Sequence, residues 1–407
     1  MGRIYQLVCM LQCLGAFYAP VHGHVLLGVD NLAQRDFQSL RGKRVGLITN
    51  QSGVNAKGES TISVLHKALE VELVSLFAPE HGIDGKVKAG KHVRSFRDNE
   101  SGLWVHSLYG STRKPTNEML SGLDVLVYDL QDIGCRSYTY ISTLGLVMEA
   151  AADNNVAVYV LDRPNPLGGQ RVEGAKIDPR FRSFVGQYEL PYVYGLTIGE
   201  LAKWINAEHL RKKCQLRVYK MAGWSREMIW RDTGLDWVAT SPNIPTFESA
   251  VGYVATGLLG DLGISNGANQ QRPFESITDA RWKSGDFARA LRSKNLQGVI
   301  TEPYSFYPIS GKWKHVEYSG ALLYFDLSSV NRLMSVNYHA LDIVREIYEE
   351  KWYFNKTEDS FELYDKINGS DFWRKTWKNG ARTEDLEQMW SKDEQAWLEE
   401  RKPFLLY

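Results

Sequence analysis

Leu123-Asp-Val-Leu-Val-Tyr-Asp-Leu-Gln-Asp-Ile-Gly134 sets a nearly unbroken apolar run directly against a polar, acidic cluster. The run Leu123–Tyr128 has the length of a strand and no polar–apolar alternation, so it reads as a strand covered on both faces. Similar runs flank it: Arg44–Thr49, Val71–Ala78 and Val156–Leu161, with Leu103–Tyr109 as a weaker fifth. Between them lie helical patterns, with Ile62, Leu65, His66 and Leu69 on one face and a second helix over Ser142–Ala152. Buried strands alternating with helices predict a doubly wound, mostly parallel α/β sheet of Rossmann-like type.

Beyond Pro164-Asn-Pro-Leu-Gly-Gly169 the chain becomes loop-rich. Leu196–Asn206 reads as a helix whose Thr197 and Glu200 form a capping box. Ser241-Pro-Asn-Ile-Pro-Thr246 is a proline-stiffened loop, and the Gly-rich stretch Gly257–Asn269 marks a domain boundary. Residues 24–255 are expected to form the Rossmann-like domain and 256–407 a smaller α+β domain. That second part contains a strand at Gly320–Phe325 and helices at Val336–Lys351 and Glu384–Glu400. In the last helix Leu386, Met389, Trp390 and Trp397 are expected to share a buried face.

The chain has 407 residues, 43% of them hydrophobic, and equal numbers of basic and acidic residues, 48 each. That balance gives no push toward nucleic acid or an anionic membrane. Residues 1–23 read as a secretory signal peptide: Arg3, an apolar stretch from Ile4 to Ala19, then Val21-His-Gly23 before the cut. The remainder has no apolar stretch long enough to span a bilayer. Cys135 and Cys214 then remain, as one disulfide or as two buried thiols. No G-x-G-x-x-G follows the first strand, which argues against a dinucleotide cofactor. No two of His66, His81, His92 and His106 stand at a recognised ligand spacing, so no metal is expected either.

In open parallel sheets, ligands bind outside the carboxyl ends of the strands. Here those ends deliver Asn50; then Glu80 and His81; then Asp129, Gln131, Asp132 and Arg136; then Asp162, Arg163 and Asn165. Polar residues commonly mark where loops begin, but four successive strand ends carrying Asp, Glu, His and Arg point to a site. A Glu desolvated against an apolar strand end suits a general acid that keeps its proton near neutral pH. Asp129 or Asp132 offers the second carboxylate that glycosidases use, and the spacing of the pair decides retention or inversion. Arg136 and Arg163 offer clamps for a substrate carboxylate. Tyr138 offers a ring to stack on.

Ala78-Pro-Glu-His-Gly82, Ser107-Leu-Tyr-Gly110, Tyr128-Asp-Leu-Gln-Asp-Ile-Gly134, Tyr138-Thr-Tyr140, Leu161-Asp-Arg-Pro-Asn-Pro-Leu-Gly-Gly169 and Ser241-Pro-Asn-Ile-Pro-Thr246 occur in this order. Together they closely resemble a bacterial family of exo-acting β-N-acetylmuramidases, glycoside hydrolase family 171, from about Arg44 to the C-terminus. The resemblance implies a Rossmann-like catalytic domain with a smaller domain walling its cleft. It also implies release of terminal N-acetylmuramic acid from peptidoglycan fragments for cell-wall recycling, with Glu80 as acid/base. His81 and Gln131 would position the sugar or tune Glu80, and Asp132 or Asp129 would assist. Asn50, Arg136, Tyr138, Arg163, Asn165 and Asn243 would contact substrate, with Arg136 the first choice for its lactyl carboxylate. Two stretches depart from the family. Val193-Tyr-Gly195 stands where it has Arg-His-Gly, and Gly260–Gln271 stands where it has Glu-Gly-Thr-Asn and Gly-Arg-Gly-Thr. The departures keep open a related amino-sugar substrate, or a glycan-binding protein that has lost turnover.

Overall fold

In a computed structural model, residues 24–92, 94–283, 285–309 and 314–407 are described. The expected signal peptide lies outside them. Seven strands form the main sheet: β1 (Arg44–Thr49), β2 (Glu72–Ala78), β3 (Phe96–Arg97), β4 (Trp104–Ser107), β5 (Val125–Asp129), β6 (Ala157–Leu161) and β7 (Leu216–Tyr219). Their order is β3-β4-β2-β1-β5-β6-β7, parallel throughout except for the edge strand β3. The chain winds outward from β1 through β2 to β4, then restarts at β5 on the other side of β1. The switch in strand order therefore lies between β1 and β5, where Thr49 pairs with Asp129.

The apolar runs are explained by two-sided burial. Val125 and Val127 face one core with Val45, Leu47 and Leu76, while Leu126 and Tyr128 face another with Ile48, Phe77 and Val160. The second core includes helix Tyr140–Asp153, eleven of whose residues are buried. It continues without a break into the C-terminal part. There an antiparallel sheet of β8 (Ser276–Asp279), β9 (Val299–Phe306) and β10 (Tyr318–Phe325), in the order β8-β10-β9, packs with helices Phe247–Thr256 and Asp286–Ser293, against which helix Ser335–Ile347 lies. The α/β class and the smaller second sheet match the sequence reading.

The capping box forms at helix Ile198–Trp204: the Thr197 hydroxyl accepts from Glu200 N and Thr197 N donates to the Glu200 carboxylate. Two details differ from expectation. The helix Thr61–Lys67 ends before Leu69, which is fully exposed because the chain has already turned toward β2. In helix Thr383–Glu400, Leu386, Trp390 and Trp397 are buried, but Met389 is exposed. Met389 stands one residue before Trp390, a rotation of about 100° away from the buried stripe.

Candidate active site

Strand register brings the site together. Ala78 at the end of β2 pairs with Ser107 at the end of β4, so Glu80 and Tyr109, each two residues further on, meet above the sheet edge. Glu80 is 7% exposed, and both of its oxygens are held. Oε1 accepts from Gly90 N at 3.0 Å and Oε2 from the Thr139 hydroxyl at 2.8 Å. Thr139 directly precedes helix Tyr140–Asp153. The Tyr109 hydroxyl faces the same carboxylate. Burial first, and that negative charge second, push it up to about 12.

The loop carrying Gly90 is folded back by its neighbour. His81 Nδ1 donates to the Val87 carbonyl at 2.7 Å, and Val87 N donates to the His81 carbonyl at 3.1 Å. His81 has φ +73°, a left-handed conformation that costs a side-chain-bearing residue energy and that recurs where active-site groups are aimed. His81 thus positions the loop that grips Glu80.

Asp132 is the carboxyl at this edge that keeps a free atom. Its Oδ2 accepts from Gly134 N at 2.7 Å and from the Tyr194 hydroxyl, while Oδ1 is buried and has no partner among the described residues. Burial raises Asp132 to about 6, against the pull of those two donors. Gly134 holds φ +79°, and a side chain there would strike Asn165, so only glycine presents its N–H to Asp132 this way.

Several predicted residues serve the scaffold. Asp129 is fully buried, and Arg163 grips it with Nε at 2.6 Å and Nη2 at 2.8 Å; the Thr61 hydroxyl also donates to it. Asp129 is therefore fully buried in an ion pair, whereas Glu80 is held only by neutral donors. Arg163 is held by that pair and by the Val54 carbonyl, and it lines a cavity of about 120 Å³ at the switch point with Ser52, Gln131 and Trp230. Arg136 is fully buried and donates to the carbonyls of Ala175, Leu190, Ile367 and Asn368. The first-choice clamp thus faces away from any substrate and ties the two halves of the chain together. Burial without a carboxylate partner lowers it to about 10.

Asn50 accepts from Ser52 N and donates to the Tyr140 hydroxyl. Asn165 spans Leu167 N and the Leu196 carbonyl, and Gln131 donates to the carbonyls of Asp132 and Pro164. The Tyr138 hydroxyl donates to Thr240, and its ring packs edge-on against Tyr140 at 4.8 Å. Asn243 is half-buried and accepts from Asn269 N, so the altered Gly260–Gln271 stretch docks on the proline loop. Cys135 and Cys214 are both free and buried, and burial pushes each thiol up to about 11, which makes a nucleophilic Cys135 unfavourable. Among the described residues, no three His, Cys, Asp or Glu side chains gather as a metal site.

Sequence reasoning passed over Thr139, Tyr109 and Tyr194. The first two lie inside quoted motifs, and the pairing of β2 with β4 is the signal that would have joined Tyr109 to Glu80.

The family models for exo-beta-N-acetylmuramidase NamZ match this chain over residues 45–248 for the N-terminal part and 251–407 for the C-terminal part. The chain belongs to the NamZ family. It is 39% identical over 383 residues to the peptidoglycan beta-N-acetylmuramidase NamZ of Bacillus subtilis (strain 168), covering 94% of this chain and 91% of that protein. A crystal structure of a DUF1343 family protein from Bacteroides fragilis NCTC 9343 superposes with a TM-score of 0.88 at 41% identity, covering 94% of this chain and 99% of the other. A second such protein from that organism shares the fold, with a TM-score of 0.71 at 24% identity over 95% and 99% of the two chains. The two NamZ parts meet at helix Phe247–Thr256, whose Tyr253 packs on Tyr138 of the first part while the helix lies on β8 and β10 of the second.

Proposed function

We propose that this NamZ-family glycosidase is exo-acting and releases terminal N-acetylmuramic acid from peptidoglycan-derived saccharides, with Glu80 as its general acid/base. The observation that carries the assignment to Glu80 is its grip: a buried carboxyl at the sheet's carboxyl edge, fixed on both oxygens by Gly90 N and Thr139. A carboxyl so fixed is already positioned at the sheet edge where a glycosidic oxygen would bind, so little further ordering is needed. Asp132, with one free oxygen, is the partner that acts ionised, as base, nucleophile or stabiliser of the oxocarbenium-like transition state. His81 supports Glu80 through its loop.

The test is release of N-acetylmuramic acid from the disaccharide MurNAc-GlcNAc, followed by mass spectrometry. Wild type is expected to release it and Glu80→Gln to lose at least a hundredfold in rate, with an unchanged thermal midpoint. Equal release by both proteins would remove Glu80 from the chemistry. Binding without release by wild type would favour the second reading, a glycan-binding protein altered at Gly260–Gln271.

Secretion or a periplasmic location is part of the proposal. It is supported by the N-terminal sequence, in which Arg3 precedes an apolar stretch from Ile4 to Ala19 and Val21-His-Gly23 follows. Protein recovered from outside the cytoplasm is expected to begin at His24. Retention of residues 1–23 there would remove the signal-peptide reading.

A further inference from the structure

N-acetylmuramic acid differs from N-acetylglucosamine by a lactyl ether that carries a carboxylate, so an enzyme selective for it needs a cation near the sugar. Arg136 and Arg163 are both committed to the scaffold. Arg113 is different. It is exposed and forms no ion pair among the described residues. Its guanidinium lies 4.3 Å from the Phe184 ring centre and 5.6 Å from that of Tyr109. The two rings brace the guanidinium, and none of its N–H donors is hydrogen-bonded among the described residues, so they are open to a carboxylate.

We propose that Arg113, braced on Phe184 and Tyr109, is the site that binds the lactyl carboxylate. This rests on the muramidase reading of Glu80. Tyr109 supplies the geometry: its hydroxyl faces Glu80 while its ring lies under Arg113. The acid and the cation are thus one tyrosine apart, as the glycosidic oxygen and the lactyl group are one sugar ring apart. Arg182, on the same groove of about 470 Å³, is already paired with Glu189. The exposed Lys88 and Lys91, on the loop over Glu80, form no ion pair among the described residues either, so this flank is basic in a chain of zero net charge.

The test pairs two proteins with two substrates: wild type and Arg113→Gln, against MurNAc-GlcNAc and its lactyl carboxamide, which keeps the shape and loses the charge. Arg113→Gln is expected to lower kcat/KM for the carboxylate by about ten- to a hundredfold, mainly through KM. For the carboxamide it should change the value less than about twofold, and Arg113→Lys should restore part of the loss. Equal losses on both substrates, or none on either, would overturn the proposal. If wild type releases nothing from either substrate, the muramidase reading itself fails. The Arg113 site is then read from calorimetric binding of free N-acetylmuramic acid and its carboxamide. A preference for the carboxylate that disappears in Arg113→Gln supports it, and no preference refutes it.

Discussion

Asp132 is set by two opposing influences: burial, which favours its neutral form, and donors from Tyr194 and Gly134, which favour the carboxylate. The balance near 6 falls where a small change moves the charge state at working pH. If Asp132 must be ionised, kcat/KM falls as pH drops through about 6. Tyr194→Phe removes a donor that favours the ionised form, so it raises that value further. The acid limb of the pH–rate profile is then expected to move up by about one unit. An unmoved limb would mean that a different group controls it. Tyr194, in the Val193–Gly195 stretch, thus tunes the charge state of Asp132.

At the scale of elements, the Asp129–Arg163 pair is a joint. It ties the end of β5 to the end of β6, and through the Val54 carbonyl and Thr61 it fixes the loop and helix that follow β1. Asp129→Ala would leave a buried guanidinium without its charge partner, a loss of about 3–5 kcal/mol. Denaturant unfolding is the measurement. Activity is expected to fall together with stability, whereas Glu80→Gln should lose activity alone. An Asp129→Ala protein of normal stability and no activity would return Asp129 to the chemistry.

The whole molecule is closed by its last residues. Trp397 Nε1 donates to the Tyr194 carbonyl at 2.8 Å, and Arg401 donates to the carbonyls of Gly169 and Gly195 at 2.9 and 2.6 Å. Gly195 has φ +59°, and a side chain there would collide with Arg401. The C-terminal helix therefore holds the loop that carries Tyr194 against Asp132. Further on, the Tyr407 hydroxyl donates to Asp162 at 2.7 Å and accepts from Met221 N at 2.8 Å. Burial raises Asp162 to about 6, and the Tyr407 hydroxyl pulls it down by favouring the carboxylate. Tyr407→Phe is thus expected to cost about 1–3 kcal/mol at pH 7. The cost should shrink below about pH 6, where the Asp162 carboxyl is protonated in the fold. Unfolding at pH 7 and pH 5 measures both values, and an equal cost at the two would show that the bond to Asp162 contributes little.

The sequence by itself determined the α/β class, most of the parallel strands, the Thr197–Glu200 cap and the placing of Glu80 and Asp132 at strand ends. These follow from local rules, since two-sided burial writes continuous apolar runs and a sheet delivers whatever follows its strands to one edge. Only the tertiary structure decided which polar residues are free to act. Arg136, Arg163, Asp129, Asn50 and Asn165 look like Glu80 in sequence, because charge and strand-end position are all that sequence displays. Their partners are carbonyls and side chains that are distant along the chain, in the case of Arg136 more than two hundred residues away at Ile367 and Asn368. Whether a buried charge is a tool or a staple depends on those partners, and folding alone brings them together.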